Sequence, residues 1–503
     1  MSKVSNRLAR LLVALMVAAL FVPTVPAPAK AAVTGANTPK GVANAHIKWQ
    51  KRFGTGYANA VTPPLLVGSH MYIGSGGYMY KLNKNTGKVL QKIKVEGVFG
   101  YTTIAPAYNG TDKIFVPLSK GRIEAIDIGE GKMQALWTSE SFGGQAISPI
   151  ICKGDSLYTG AFGKGGNSYF VKIDQNTGKV IRLAINENGY YWVGAYVTDK
   201  FVVFGEEADA EGASRVKVVR TDSGDLPKPV SEITVTGSVR SSIVADSGSL
   251  YFVTKGKRLY KTSLKEETGQ LAEPESAALT GESTGVPLVH NGRAYVGTSA
   301  GKIDVVDVGT MERKYSVIAP GYVQGEMLLS SSGGKLKLYA AYNSPVGGLY
   351  YIEPGSTKAA VKGNLLVPDY KQYCISPVIC DSAGTIYYKN DSGYIMAVTK
   401  GYFSGPVKLT AKAGKKKAAL SWKKVSGADG YMVYRGAKKK GKYKKIATVA
   451  KNVKQLATIK YTNKKLKAGK KYYYKVKAYR TTAGSKKVYT KFSNIKMIKA
   501  KKK

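Results

Sequence analysis

The feature that most limits what this chain can fold into is a phrase written eight times. A short alternating run around a bulky residue recurs as Tyr72 in HMYIG, Phe115 in KIFVP, Tyr158 in SLYTG, Val203 in FVVFG, Phe252 in LYFVT, Tyr295 in AYVGT, Tyr339 in LYAAY and Tyr387 in TIYYK, at steps of 43 to 49 residues. Self-similarity at a fixed period marks a repeat architecture. Each copy has one grammar. A small residue or Pro opens an apolar strand, as in Pro63-Pro64-Leu65-Leu66, Pro149-Ile150-Ile151 and Pro377-Val378-Ile379. A polar turn leads to the bulky strand. A third alternating strand follows, as in Ile123–Asp127 and Ile303–Asp307. A Thr-Gly turn (Asn85-Thr86-Gly87-Lys88, Asn176-Thr177-Gly178-Lys179) then leads into a fourth. Four short strands with two-residue alternation and little helical periodicity predict one antiparallel sheet per copy.

A lone four-stranded sheet cannot bury both of its faces, whereas sheets set radially around an axis pack each face on a neighbour. The expectation is all-β: an eight-bladed β-propeller over residues 45–400. Its last copy ends near Ile395–Val398 without a fourth strand, and a spare strand stands at the front, around His46–Gln50. Residues 45–53 are therefore predicted to complete the eighth blade, with Trp49 playing the part of Trp137. Cys152 and Cys380 then occupy one architectural slot in SPIICKGD and SPVICDSA. With Cys374 they are read as small buried apolar residues. Cys374 and Cys380, six apart in a strand-like run, are too distant for a disulfide.

Two stretches, Tyr78–Leu90 (YMYKLNKNTGKVL) and Lys172–Val180 (KIDQNTGKV), resemble the repeat of quinoprotein-type (PQQ-like) propellers. That family includes quinone-dependent dehydrogenases and non-enzymatic scaffolds. The dehydrogenases carry an adjacent-cysteine disulfide, stacked tryptophans and a carboxylate-held calcium. This propeller has only Trp49, Trp137 and Trp192 and no adjacent cysteines. Asp127, Asp174 and Asp307 recur at one strand end, which reads as turn chemistry. Three histidines without a Cys-x-x-Cys argue against zinc. No cofactor and no metal are expected.

Residues 1–31 read as a signal peptide: Lys3, Arg7 and Arg10, an apolar run from Leu11 to Val22, and a small-x-small cleavage site at Ala29-Lys30-Ala31. No transmembrane span is expected after cleavage, so the protein is expected to be secreted, with a non-covalent hold on the cell wall.

The net charge of +45 is unevenly spread: Ser404 to Lys503 hold 33 Lys and Arg against one acid, Asp429. This places a boundary near Ser404-Gly405-Pro406. Beyond it, seven short alternating runs predict a β-sandwich over residues 405–499. The runs are 407–409, 418–422, 430–435, 445–447, 460–462, 472–479 and 492–495. Trp422, Leu466 ahead of Tyr472, and Ser493-Asn494 before the last strand resemble a fibronectin type III domain, with Tyr472 as its tyrosine corner.

Val476 and Ala478 are predicted to point inward, leaving Lys475 and Lys477 outside. A lysine coat suits non-specific contact with a polyanion. Lys438, Lys439, Lys440, Lys444, Lys445, Lys475 and Lys477 are the candidate contacts, and a solvated surface is the plain alternative. No nucleic-acid recognition motif appears, so sequence-specific binding is not expected. In the propeller, loops entering the inner strands carry Tyr57, Tyr101, Tyr190, Trp192, Tyr322 and Tyr373, with Arg240. These are candidates to grip a glycan or peptide at one mouth, or else to plug the channel or pack between blades. Glu206, Glu207, Asp209 and Glu211 read as an exposed hairpin loop.

The favoured reading is a non-catalytic binding or scaffold protein. The propeller meets a surface protein or glycan and the basic domain tethers it to an anionic cell-wall polymer. The alternatives are a polysaccharide hydrolase or lyase, a quinone-dependent dehydrogenase, and a purely structural surface protein.

Overall fold

The structure is a computed structural model. It describes residues 33–34, 38–39, 44–54, 61–99, 104–129, 131–163, 168–332, 335–450, 453, 456–481 and 487–502. The proposed signal peptide lies outside them. No helix among the described residues is long and apolar enough to cross a membrane. The architecture is all-β.

Among the described residues, the repeats form successive antiparallel sheets. The first pairs Leu65–Val67, His70–Ser75, Tyr78–Asn83 and Val89–Lys94 in chain order. The second pairs Ala107–Tyr108, Lys113–Leu118, Arg122–Asp127 and Gln134–Thr138. The third is built on Ser156–Phe162, Ser168–Asp174 and Val180–Asn186. The fourth runs Tyr196–Val197, Phe201–Phe204, Ala213–Arg220 and Ser231–Thr236. The fifth runs Val244–Asp246, Ser249–Thr254, Arg258–Thr262 and Glu275–Ala278. The sixth runs Leu288–His290, Arg293–Thr298, Lys302–Asp307 and Glu312–Ile318. The seventh runs Leu328–Ser332, Lys335–Ala341, Leu349–Pro354 and Ala359–Leu366. The eighth pairs Ile379–Cys380, Ile386–Lys389 and Tyr394–Lys400 with Ala45–Arg52, which supplies the missing fourth strand.

The cores lie between sheets. Tyr72 and Met79 of the first sheet pack with Ile114 and Val116 of the second, and Phe115 and Ile123 of the second pack with Leu157 and Val171 of the third. The series continues sheet by sheet. It closes where Tyr387 and Ile395 of the eighth meet Met71 and Leu82 of the first. Adjacent residues of a strand therefore face different neighbours, as the two-residue period requires. This cyclic packing is a β-propeller.

One member of the sequence repeat is displaced. Tyr251, opposite Val244, holds the position of Tyr72 opposite Leu65. Phe252 points back to the fourth sheet, because a one-residue slip in a strand exchanges its faces.

Turn chemistry is as read. The Asp174 carboxylate accepts the amides of Asn176 and Thr177 at 2.9 and 2.8 Å, and Asp307 accepts that of Gly309 at 3.0 Å. The two tryptophans are equivalent. Trp49 Nε1 donates to the Lys84 carbonyl at 2.8 Å and Trp137 Nε1 to that of Gln175 at 3.2 Å. Each ring lies on a left-handed glycine of the next sheet's turn, where a Cβ on Gly87 or Gly178 would stand 2.6 Å from it. Buried carboxylates latch neighbouring sheets together. Glu124 accepts the Glu96 amide at 2.6 Å. Asp304 accepts the Thr280 amide at 2.7 Å and the Ser316 hydroxyl at 2.6 Å.

All three cysteines are free. Cys152 and Cys380 do share a slot, opposite Leu157 and Ile386, and both are partly exposed. Cys374 is buried, in an irregular segment rather than a strand, with its thiol pushed up to about 12 by burial. An unanticipated strand, Val33–Thr34, runs parallel to Leu328–Ser332. Near it, the Tyr339 hydroxyl donates to the Pro39 carbonyl at 2.7 Å.

The C-terminal strands form two sheets. Leu409–Gly414, Lys417–Lys423 and Thr458–Asn463 make one. Tyr443–Val449, Gly430–Gly436, Lys471–Thr481 and Lys487–Tyr489 make the other, with Lys496–Lys499 also on Lys471–Thr481. Trp422, Tyr431, Val476 and Leu466 fill a common core. The last predicted strand shifts: 492–495 is irregular and the strand begins at Lys496. There, side-chain bonds stand beside the backbone bond from the Ser493 amide to the Val476 carbonyl at 2.7 Å. Ser493 Oγ accepts the Val476 amide at 2.9 Å, and Asn494 bonds both the amide and the carbonyl of Leu409 at 2.8 and 3.0 Å. The Tyr472 hydroxyl accepts the Lys467 amide at 3.0 Å. Arg480 donates to the Ala45 carbonyl at 2.7 Å, and Lys424 pairs with Asp369.

Candidate functional site

Two clusters of polar and aromatic side chains stand out. The first is on the loops that join the third, fourth and fifth sheets, with Phe162 at a strand end and the fourth sheet's hairpin loop after Phe204. In Gly189-Tyr190-Tyr191-Trp192, Tyr190 is fully buried, in the cluster between the third and fourth sheets. Burial drives its phenol pKa well above the ordinary range. It offers no surface to a ligand, which corrects its assignment as a contact residue. Trp192 has φ +60°, a left-handed conformation that costs a non-glycine residue about 1 kcal/mol. Its ring meets Tyr191 edge-on with centres 4.6 Å apart, and Tyr191 meets Phe162 in the same way at 4.6 Å. Over Tyr191 lies the Arg240 guanidinium, 4.5 Å from the ring centre. Glu207 holds that guanidinium at both oxygens, with bonds of 2.7 to 3.0 Å.

Glu206 beside it pairs with Lys217 at 2.6 Å and with Arg215 at 3.8 Å. The exposed-loop reading of this acidic run therefore fails for half of it. Glu206 and Glu207 are buried, while Asp209 and Glu211 are exposed. Buried pairs of this kind add little net stability but fix geometry. The result is a rigid, partly exposed platform of Phe162, Tyr191, Trp192 and Arg240.

Tyr322 belongs to a separate relay. Its hydroxyl bonds Thr284 Oγ1 at 3.2 Å. Gln324 donates to Thr284 at 3.3 Å, and Asn343 to Gln324 at 2.6 Å. Burial raises the Tyr322 phenol pKa, and the nearby Arg240 charge opposes that rise. Tyr373 is 48% exposed. Tyr57 and Tyr101 lie outside the described residues. The structure thus brings Trp192 and Arg240 together through Tyr191. Sequence reasoning missed Tyr191 beside two aromatic neighbours, and Gly189 before the aromatic triplet was the available signal of a sharp turn.

The second cluster is on the C-terminal sheets. Lys475 and Lys477 do alternate with buried Val476 and Ala478. The Lys475 ammonium sits 3.9 Å from the centre of Phe492 and 4.4 Å from that of Tyr443. The Lys477 ammonium sits 4.0 Å from Tyr489 and 5.3 Å from Phe492. Each such contact is worth about 0.5–1 kcal/mol at an exposed site. Phe492 also meets Tyr434 edge-on at 5.1 Å. Lys438, Lys439, Lys440, Lys444 and Lys445 are exposed around the neighbouring hairpin. Among the described residues, no group of three or more His, Cys, Asp and Glu is placed to hold a metal ion.

No family model matches the chain, and no curated protein matches it in sequence. Solved structures do match in shape. The Saccharomyces cerevisiae protein Sqt1 is similar with TM-score 0.53 and 11% identity, covering 72% of this chain and 99% of that one. The computationally designed protein Ika8 is similar with TM-score 0.51 and 14% identity, covering 69% and 99%. BamB from Moraxella catarrhalis has TM-score 0.49 and 13% identity, covering 70% and 98%. At these identities the likeness speaks of the fold alone.

Proposed function

We propose that this protein is an exported, non-catalytic binding scaffold. In this reading the successive sheets are the eight blades of a PQQ-like propeller over residues 45–400. The C-terminal sheets are a fibronectin type III domain over residues 405–499. The propeller holds a surface protein or glycan, and the basic domain tethers it electrostatically to an anionic polymer of the cell envelope. The observation that carries the reading is the segregation of charge. The last hundred residues hold 33 basic residues and one acid, against 44 and 31 in the rest of the chain. Such a field concentrates counter-charged polymers and costs self-repulsion otherwise. The Arg240–Tyr191–Trp192 platform supports partner binding by the propeller, because rigid aromatic and guanidinium surfaces are efficient anchors for a partner.

The test is binding of the full chain to isolated envelopes and to purified anionic wall polymer across a salt series. Binding that falls steeply with salt supports the tether. Salt-insensitive binding, or none to the polymer, overturns it. Trp192→Ala, compared at one salt concentration, should weaken capture of the propeller's partner and leave polymer binding unchanged.

A further inference from the structure

We propose that the face carrying Lys475 and Lys477 is a preorganised docking strip for a phosphodiester-linked polyol chain. This inference rests on the tether reading and sharpens it from a diffuse coat to a place. An exposed lysine has four rotatable bonds and loses that freedom when it grips an anion. Lys475 and Lys477 have lost part of it already, because Phe492, Tyr443 and Tyr489 hold their ammonium groups at 3.9 to 5.3 Å. The two residues stand two apart on one strand, roughly 7 Å along it, and share the Phe492 ring. Among the described residues neither forms an ion pair with a carboxylate, and the region contains one acid in all. Two fixed, uncompensated positive charges in a row complement a chain with regularly repeated negative charges.

The same contacts narrow the chemistry of the occupant. Ring faces capped by ammonium groups are not free to stack on nucleobases. Lysine, a compact point charge, lacks the flat fork with which arginine reads a planar carboxylate. The face therefore fits a flexible chain recognised by its phosphates alone.

The experiment uses the full chain and poly(glycerol phosphate) as probe, with thermal unfolding recorded for each variant. Lys475→Gln/Lys477→Gln is compared with Lys438→Gln/Lys439→Gln, which removes the same charge from an unsupported turn. The strip pair is expected to lose about tenfold in affinity and to flatten the slope of log Kd against log salt by about 1.4, at ~0.7 per phosphate contact on a flexible strand. The control pair should lose about two- to threefold. Phe492→Leu keeps every charge and should lose about threefold. Equal losses for the two lysine pairs, or no loss for Phe492→Leu, overturn the inference and leave the diffuse tether standing. Absence of salt-dependent binding by the unaltered chain overturns the tether itself. Oligo-dT of matched charge should bind no more tightly than the polyol chain, and tenfold tighter binding overturns the choice of occupant.

Discussion

Glu206, in the hairpin loop after Phe201–Phe204, and Lys475, on a strand, are both charged groups, and the two regions treat them in opposite ways. In the ring, several acids are turned inward, while others such as Asp209 and Glu211 stay exposed. Glu206 is met by Lys217, Glu207 by Arg240, and Asp304 by the Thr280 amide and the Ser316 hydroxyl. These acids work as clamps between strands and between sheets. In the C-terminal sheets, charge is turned outward, and aromatic rings support the lysines in place of acids. The difference teaches that net charge alone says little about use. The buried acids of the ring are committed to its own architecture, and the lysines of the C-terminal face remain available.

The sharpest way to break the comparison is to unfold one region without the other. Trp422 is 2% exposed in the C-terminal core. Trp422→Ala should cost about 3–5 kcal/mol there and split thermal unfolding into two transitions, the later one unchanged. A single transition moving as a whole would show that the Arg480–Ala45 and Lys424–Asp369 contacts join the regions into one cooperative unit. Next in size, Lys217→Ala leaves Glu206 buried with a distant Arg215 and should cost about 3 kcal/mol in chemical denaturation. Adding Glu206→Ala should recover part of that loss, since the stranded charge is then gone. In contrast, Lys475→Ala removes two ring contacts and should change stability by no more than about 2 kcal/mol.

The smallest effect depends on pH. Burial raises the Glu124 carboxyl pKa, against the Glu96 amide that favours the charged form. The native state therefore holds this proton more tightly than the unfolded chain. That contribution to stability is complete below the unfolded pKa near 4.5 and is lost as pH rises through the higher folded pKa. Glu124→Gln should raise Tm at pH 8 and give no gain at pH 4. A gain of equal size at both would show that the carboxylate's charge is immaterial.

The ring was legible because its middle strands bury both faces and print near-continuous apolar runs at a fixed period, while outer strands alternate. It became ambiguous where two aromatics adjoin: Tyr251 and Phe252 both fit the phrase, and only the pairing of Tyr251 with Val244 decides between them. Glu206 and Glu207 do lie in a hairpin loop, but they read as exposed because the partners that bury them are not adjacent in sequence. Arg240 is brought in by the next sheet, and Lys217 by hairpin register. Lys475 and Lys477 were placed outward correctly by alternation. Their seat on Phe492 was hidden, because Ser493 and Asn494 take 492–495 out of the strand it was expected to form.

The pairing of Ala45–Arg52 with Tyr394–Lys400 has a consequence for how the molecule comes into being. Ala45–Arg52 waits for a partner made hundreds of residues later, so the last sheet is the most non-local contact in the ring and the slowest to form. Until residue 400 has been synthesised, a nascent chain is an open horseshoe with a bare strand edge at each end. Bare edges are the template for wrong pairing. A chain truncated before residue 394 should accumulate as aggregate, however sound its completed sheets, because closure makes the ring an all-or-none product of synthesis.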